Sequence, residues 1–264
     1  MSRIRTIIPA AGQGSRLSPL TDNQPKCMVP LHGRPLLHWQ LNAIRSAGVS
    51  DIVVVGGYKI DKLSAPGCRV LVNPEFETTN MVQSLWCAEE WFDDGFIMAY
   101  GDIIYNSEIY SRLLESSYEI AVVVDRSWRS YWELRTSDVL NDAESLKIAN
   151  DGRIESIGQK VADINLIEGQ YIGLVAFRRN GLREAKRLVE QERKANEKGQ
   201  NLICQKRSLR RLYMTDLLQG LINEGIEVRP VWIEGGWLEI DTMNDLSLAE
   251  TLTRVGNDAI LINR

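Results

Sequence analysis

The stretch Ala10-Ala11-Gly12-Gln13-Gly14-Ser15-Arg16-Leu17 follows directly on a short apolar run, Ile4 to Ile8. Glycines let backbone N–H groups approach a polyphosphate closely, and successive amides form a concave nest for anions. Arg16 adds a forked, charged donor for the same phosphates. Pro25-Lys26 stands a few residues on, and a lysine fixed behind a proline delivers one compact positive charge. Read singly, the glycines are a strand-to-helix turn and Lys26 a surface lysine; read together, they point to a bound triphosphate. A dinucleotide fingerprint is excluded, because Leu17 stands where G-x-G-x-x-G requires its last glycine. A Walker loop is excluded as well, because no Gly-Lys-Ser/Thr follows.

Two carboxylates occupy strand ends. Asp102 follows Tyr100-Gly101, and Asp241 lies in Trp237-Leu238-Glu239-Ile240-Asp241-Thr242. Mg²⁺ takes oxygen ligands, commonly one or two carboxylates plus phosphate oxygens. Asp102 and Asp241 therefore read as a pair of Mg²⁺ ligands, against the plainer reading of each as a turn or helix cap. Asp245 reads as a cap, and Glu239 as a strand-face residue close to Asp241. Asn80 starts a helix, with Ser84 four residues on along the same face, and an N-cap role suits Asn80 equally. His32 and His38 read as structural.

Seven tryptophans are many for 264 residues. Trp128, Tyr131 and Trp132 cluster after a strand, and Tyr213 and Asp216 open a later helix. Aromatic faces beside a carboxylate suit an ammonium group through cation–π attraction; packing is the alternative. Arg126, Arg129 and Arg135 surround the first cluster, and Arg207, Arg210 and Arg211 precede the second. Those guanidiniums suit a carboxylate or a further phosphate on the acceptor instead.

The elements that must position these groups alternate in type. Apolar strands are expected at 4–8, 51–55, 69–72, 96–100 and 120–124, and amphipathic helices at 35–47, 80–92 and 107–116. Such βαβ units make a mostly parallel sheet covered on both faces, with ligands at the carboxyl ends of the strands. In the second half, Asn150-Asp151-Gly152 reads as a turn between short strands, with a further strand at 171–177. A charged, solvated helix is expected at 182–198 and another helix at 214–223. Late strands follow at 228–233 and 237–240, and a last helix runs from about Asn244. No repeat or linker interrupts the chain, so one domain over 1–264 is expected.

With these motifs in place, the stretch from Ile7 to Pro30 resembles the A-A-G-x-G-[ST]-R-[LM]…P-K signature of the sugar-nucleotidyltransferase superfamily. The likeness continues through Gly56-Gly57-Tyr58, Asp102 and Trp237 to Asp241, and is strongest to the CTP:phosphocholine cytidylyltransferase group. That resemblance implies a Rossmann-like mixed sheet, Mg²⁺ on Asp102 and Asp241, and in-line attack of an acceptor phosphate on a nucleoside triphosphate, with CTP favoured. It implies catalytic roles for Lys26, Arg16 and Lys160, the last on the acceptor's phosphate. It places Ala10, Ala11, Gly12, Gly14, Ser15, Gly57, Tyr58, Asn80 and Ser84 around the nucleotide. Trp132, Tyr171, Tyr213 and Asp216 are placed around a phosphocholine- or 2-aminoethylphosphonate-like acceptor. Residues 1–125 would then serve mainly the nucleotide, 126–235 mainly the acceptor, and 236–264 the metal-carboxylate strand and terminal helix. A hexose-1-phosphate nucleotidyltransferase is the alternative within the class. A non-catalytic nucleotide-sensing module is the alternative outside it, although such a module would be expected to have lost Lys26, Asp102 or Asp241.

Bulk properties bound the partners. The net charge is −4, from 31 basic and 35 acidic residues, with no basic stripe, so no nucleic-acid partner is expected. The four cysteines form no C-x-x-C pair and suit reduced, buried thiols. No apolar run approaches the roughly 18 residues of a membrane span. A cytoplasmic protein without membrane insertion is expected, with homodimerisation a further expectation.

Overall fold

Ile52-Val53-Val54-Val55 and Ile120-Ala121-Val122-Val123-Val124 are apolar at every position, and only a strand covered on both faces can bury such a run. The computed structural model describes residues 4–256 and 259–262, and both strands are buried at every position in it. They belong to a seven-stranded sheet. Its order is Arg229–Ile233, Ile120–Asp125, Gln170–Arg178, Gly95–Ala99, Arg5–Ala10, Ile52–Gly56, Arg69–Val72. The pairings are parallel except along Gln170–Arg178, which runs antiparallel to both its neighbours. The expected α/β, Rossmann-like, mostly parallel sheet is therefore present.

Alternate residues feed two cores. Ile8, Val54, Ile97 and Val123 face one side, packed with the helices Leu36–Ser46 and Ser107–Glu115. Ile7, Val53, Val55, Met98 and Val122 face the other, with Met81–Trp86, Arg179–Asn196 and Met214–Asn223. The side-chain period of two along a strand produces this division.

Three expectations change. The helix expected at 80–92 is only Met81–Trp86, followed by a 3₁₀ turn at Glu89–Trp91. The turn places Trp91 under the guanidinium of Arg69, 4.0 Å from the ring centroid, a tertiary contact that overrides the helical pattern. The helix expected to be solvated, Arg179–Asn196, buries Leu182, Ala185, Leu188, Val189 and Ala195. It also buries Glu192, which accepts from the backbone amides of Leu202 and Ile203. The segment Trp128–Arg135, read only as an aromatic cluster, is a helix.

The strand ends set up the site. Arg5–Ala10 lies between Ile52–Gly56 and Gly95–Ala99, parallel to both, so the glycine loop after Ala10 emerges beside Gly101-Asp102. Trp237–Glu239 pairs antiparallel with Ile103–Tyr105, Glu239 opposite Ile103. One step further, the Ile240 amide donates to the Asp102 carbonyl at 3.0 Å. That register sets Ile240 opposite Asp102 and brings Asp241 one residue beyond it. Among the described residues, no helix is long and apolar enough to cross a membrane.

Asp125 anchors the late strand from outside. Fully buried, it accepts from the Gly235 amide (2.9 Å), the Trp237 indole N–H (2.8 Å) and the Ser127 amide and hydroxyl. Removing it leaves several buried donors unsatisfied. Asp125→Ala is expected to cost about 2–4 kcal/mol, read as a lower urea midpoint at unchanged slope. A loss below about 0.5 kcal/mol would show that the Gly235–Trp237 segment is held by other contacts.

Candidate functional site

The loop after the first strand is built around the side chain it must let through. Gly14 adopts a left-handed conformation, φ 71°. A Cβ there would lie 2.7 Å from Lys26 Cγ, so any other residue would displace the lysine stem. Ser15 opens a single 3₁₀ turn, Ser15–Leu17, which buries Leu17 beneath the loop. Ala10, Ala11 and Gly12 line a pocket of about 160 Å³, together with Lys26, Cys27, Asn80, Ser84 and Asp102. Gly57 and Tyr58 do not line this pocket; they brace it. The Tyr58 amide donates to the Ala11 carbonyl at 3.0 Å, and a Cβ on Gly57 would collide with Phe76 and Ala11.

The charged groups meet at the mouth of this pocket. Lys26 Nζ donates to Asp102 Oδ2 at 2.6 Å and also to Asp241 Oδ1. Arg16, 62% exposed, pairs with Asp241 Oδ2 at 3.1 Å. Burial works against the Lys26 charge, but Asp102 and Asp241 outweigh it and hold the ammonium above its ordinary pKa. Burial would likewise raise the Asp241 carboxyl; Lys26, Arg16 and Arg135 instead keep it below the usual carboxylate value. Asp102 Oδ1 is buried and has no hydrogen-bond partner among the described residues. Burial pushes the Cys27 thiol up to about 12, so it stays protonated and is no nucleophile.

Two further residues complete the cluster. Glu239 offers an oxygen within 4.8 Å of those of Asp102 and Asp241. Burial, and then repulsion from Asp241, push its carboxyl up to about 8 against the pull of Arg135. Glu239, expected close to Asp241, ends the strand Trp237–Glu239 and is brought into the cluster with it. Arg135, only 5% exposed, reaches Glu239 Oε2 (2.8 Å), Asp245 Oδ1 (3.0 Å) and Asp241 Oδ2 (3.7 Å). Asp245 is the expected cap, accepting from the Thr242 amide at 2.8 Å.

Asn80 caps Met81–Trp86 through its side-chain oxygen, and its amide donates to the Arg210 carbonyl at 2.8 Å. Ser84 accepts from Asn73 Nδ2 at 2.9 Å, and the same nitrogen bonds Thr79. Asn73, 1% exposed, thus organises this wall from the head of the 73–84 stretch that carries Asn80 and Ser84. His32 bonds Thr253, and His38 bonds the Ser64 carbonyl, in keeping with structural roles.

The residues expected around an acceptor separate. Trp132 is 4% exposed, with edge contacts to Trp128 and Tyr131 and a tilted contact to Trp237. The Arg135 guanidinium lies over Trp132 and Tyr131, at 5.1 and 5.4 Å from the ring centroids. The ammonium cage expected at Trp132 gives way: the protein's own cation already holds that place. Asp216 is likewise engaged within the chain, pairing with Arg207 at 2.9 Å and accepting from the Tyr213 amide at the helix start. Tyr213 is exposed, with Arg207 over its ring. Lys160 is exposed and donates to the Asn141 carbonyl, and Tyr171 stands edge-on to Tyr100.

The MobA-like NTP transferase domain family matches residues 6–212. A CTP:phosphoglutamine cytidylyltransferase of Campylobacter jejuni is 36% identical over 256 residues, covering 93% of this chain and 98% of that protein. A 2-aminoethylphosphonate cytidylyltransferase of Lancefieldella rimae is 30% identical over 40% of this chain and 46% of its own length. The solved CTP:phosphocholine cytidylyltransferase of Streptococcus pneumoniae superposes with a TM-score of 0.70 at 20% identity, covering 94% of this chain and 98% of that one, a likeness of fold. The chain belongs to the MobA-like NTP transferase domain family and is a nucleotidyltransferase.

The raised Glu239 carboxyl makes a pH prediction. Folded, Glu239 binds its proton more tightly than an ordinary glutamate of pKa 4.5. This contribution to stability is complete below that value and is lost as pH rises towards 8. Asp241, shifted downwards, acts only in more acidic solution. In chelator-treated protein, Glu239→Gln is expected to gain stability relative to the parent as pH rises from about 5 to about 8. Parallel urea-midpoint profiles would show that Glu239 is not held protonated.

Proposed function

We propose that this nucleotidyltransferase transfers CMP from CTP to a small phosphorylated or phosphono-amine and releases pyrophosphate. The convergence of Lys26, Arg16, Asp102 and Asp241 on the pocket edged by Ala10, Ala11 and Gly12 carries the reading. CTP is favoured by the Campylobacter and Lancefieldella relatives, both cytidylyltransferases, and the acceptor class by the phosphoglutamine and aminophosphonate in their names. Residues 1–125 would serve mainly the nucleotide, 126–235 mainly the acceptor, and 236–264 the metal-carboxylate strand.

Asp102 and Asp241, with Glu239 in reach, would hold Mg²⁺: three convergent carboxylates and the unpartnered Asp102 oxygen fit a cation that takes oxygen ligands. Bound there, the ion would supply charge neutralisation on the phosphate oxygens. The protein's own groups do the rest. Lys26 exchanges its carboxylate partners for phosphate oxygens, its stem passing over Gly14. Arg16, exposed and held by one carboxylate, turns to the same triphosphate. Amides of the Gly12–Ser15 loop present N–H donors, and Asn80 and Ser84 border the nucleoside. Lys160 draws in the acceptor's phosphate. That phosphate is already ionised near neutral pH, so no general base is required. Catalysis is then positioning plus electrostatic stabilisation.

The test is a pyrophosphate-release assay pairing each of the common nucleoside triphosphates with amino-bearing phosphates, aminophosphonates and hexose 1-phosphates. CTP with an amino-bearing acceptor is expected to turn over fastest. Lys26→Ala and Asp102→Ala are each expected to lower kcat/KM by about 10²-fold or more. A folded variant that releases pyrophosphate at the parental rate would remove that residue from the mechanism. A preference for hexose 1-phosphates would overturn the acceptor class.

A further inference from the structure

The pocket beside the glycine loop has a charged end and an uncharged wall. Lys26 and Asp102 stand at the first, and Phe76, Thr79, Asn80, Met81 and Ser84 form the second. Phosphates belong at the charged end, so the wall meets the nucleoside. Hydrogen-bond directions on that wall are set by one buried side chain, Asn73. Its Oδ1 accepts from the Glu75 amide at 3.0 Å. A backbone N–H can only donate, so the other end of the Asn73 side chain is its NH₂ group. The two protons of that group go to Thr79 Oγ1 and Ser84 Oγ, both at 2.9 Å. The Thr79 hydroxyl donates in turn to the Glu75 carbonyl at 2.8 Å, so its proton is spent within the chain. Asn80 has its side-chain oxygen on the Met81 amide and its nitrogen on the Arg211 carbonyl. The Ser84 hydroxyl differs. It accepts from Asn73, and among the described residues no group accepts its own proton. Ser84 is 6% exposed, and the pocket is the space it faces.

Resting on the nucleotidyl-transfer reading above, we propose that Asn73 is a positioning residue for the nucleobase: it fixes the Ser84 hydroxyl as a donor to N3 of the base, and so selects cytosine over uracil. The two pyrimidines share an oxygen at C2 and differ at N3 and C4. Cytosine N3 is a bare acceptor, whereas uracil N3 carries a hydrogen. A hydroxyl whose proton is turned into the pocket bonds the first and opposes the second, because two donors then face each other with neither satisfied. Turning the second lone pair of Ser84 towards uracil would leave its own proton without an acceptor in a buried wall, which carries the same penalty. Asn73 touches no part of the nucleotide in this arrangement; it acts only through Ser84.

The experiment measures binding of CTP and of UTP by calorimetry, with Mg²⁺ and without any acceptor. The parent protein is expected to bind CTP about tenfold or more tighter than UTP. Ser84→Ala removes the donor and is expected to lower that preference about tenfold. Asn73→Asp keeps the shape and the contact with the Glu75 amide, but gives Ser84 an acceptor in place of a donor. The Ser84 hydroxyl then donates to residue 73 and turns its lone pairs to the pocket, so the preference is expected to move towards UTP by about tenfold or more. A merely structural role for Asn73 would weaken both nucleotides alike and leave their ratio in place. If Asn73→Asp unfolds in a thermal melt, a crystal structure of the parent with CTP decides instead: Ser84 Oγ must lie within hydrogen-bond distance of both Asn73 Nδ2 and base N3. Equal parental affinities, a parental preference for UTP, or a ratio unmoved in Ser84→Ala would overturn the assignment while leaving nucleotidyl transfer intact. A ratio that moves in Ser84→Ala but not in folded Asn73→Asp would remove Asn73 from it. Absence of binding by every nucleoside triphosphate would overturn the underlying reading and this assignment with it.

Discussion

Asp102 and Asp241 come from opposite ends of the chain and share one ammonium, that of Lys26. Two carboxylates at this separation repel strongly once water is partly excluded, so the arrangement persists only with a cation between them. The architecture around them serves that meeting. The parallel strands Arg5–Ala10 and Gly95–Ala99 deliver the loop and Asp102 to one edge. The short pairing of Trp237–Glu239 with Ile103–Tyr105, extended by the amide of Ile240, delivers Asp241. Gly14 gives the lysine its path.

A second cation stabilises the arrangement from behind. The helix Trp128–Arg135 grips the late strand through Tyr131, whose hydroxyl donates to the Glu239 carbonyl and accepts from the Glu239 amide. The same helix places Arg135 among Glu239, Asp241 and Asp245. Bidentate or multiple guanidinium contacts hold carboxylates in fixed orientation, which a lysine could not do as well. The aromatic wall of Trp128, Tyr131, Trp132 and Trp237 lowers the local dielectric, which strengthens each of these contacts. Aromatic density here braces the carboxylate cluster, through Tyr131 on Glu239 and through the rings beneath Arg135.

The sheet was legible in the sequence because its signals are local: apolar runs, amphipathic helices and glycine turns at strand ends. The loop, Lys26, Asp102 and Asp241 were legible because their residue types and order carry a specific chemistry. Partners across the fold were not. Trp132 and Asp216 have the composition of an ammonium site, but composition does not tell that Arg135 and Arg207 already satisfy them. Asn73 opens the 73–84 stretch read for Asn80 and Ser84, but its own role arises only from the side chains it bonds, Thr79 and Ser84. Ile103–Tyr105, three residues long, is too short for a pattern of its own, yet its pairing sets the register of the site.

The account turns on Lys26 standing between two carboxylates that a metal ion would take, while a triphosphate would take the lysine. The most direct measurement is a crystal structure with Mn²⁺ and a non-hydrolysable CTP analogue, using the anomalous signal of the metal. The account predicts a metal peak bridging the carboxylates of residues 102 and 241, with Lys26 Nζ moved onto a phosphate. A metal bound elsewhere, or a triphosphate seated away from the glycine loop with Lys26 still between the two aspartates, would contradict it.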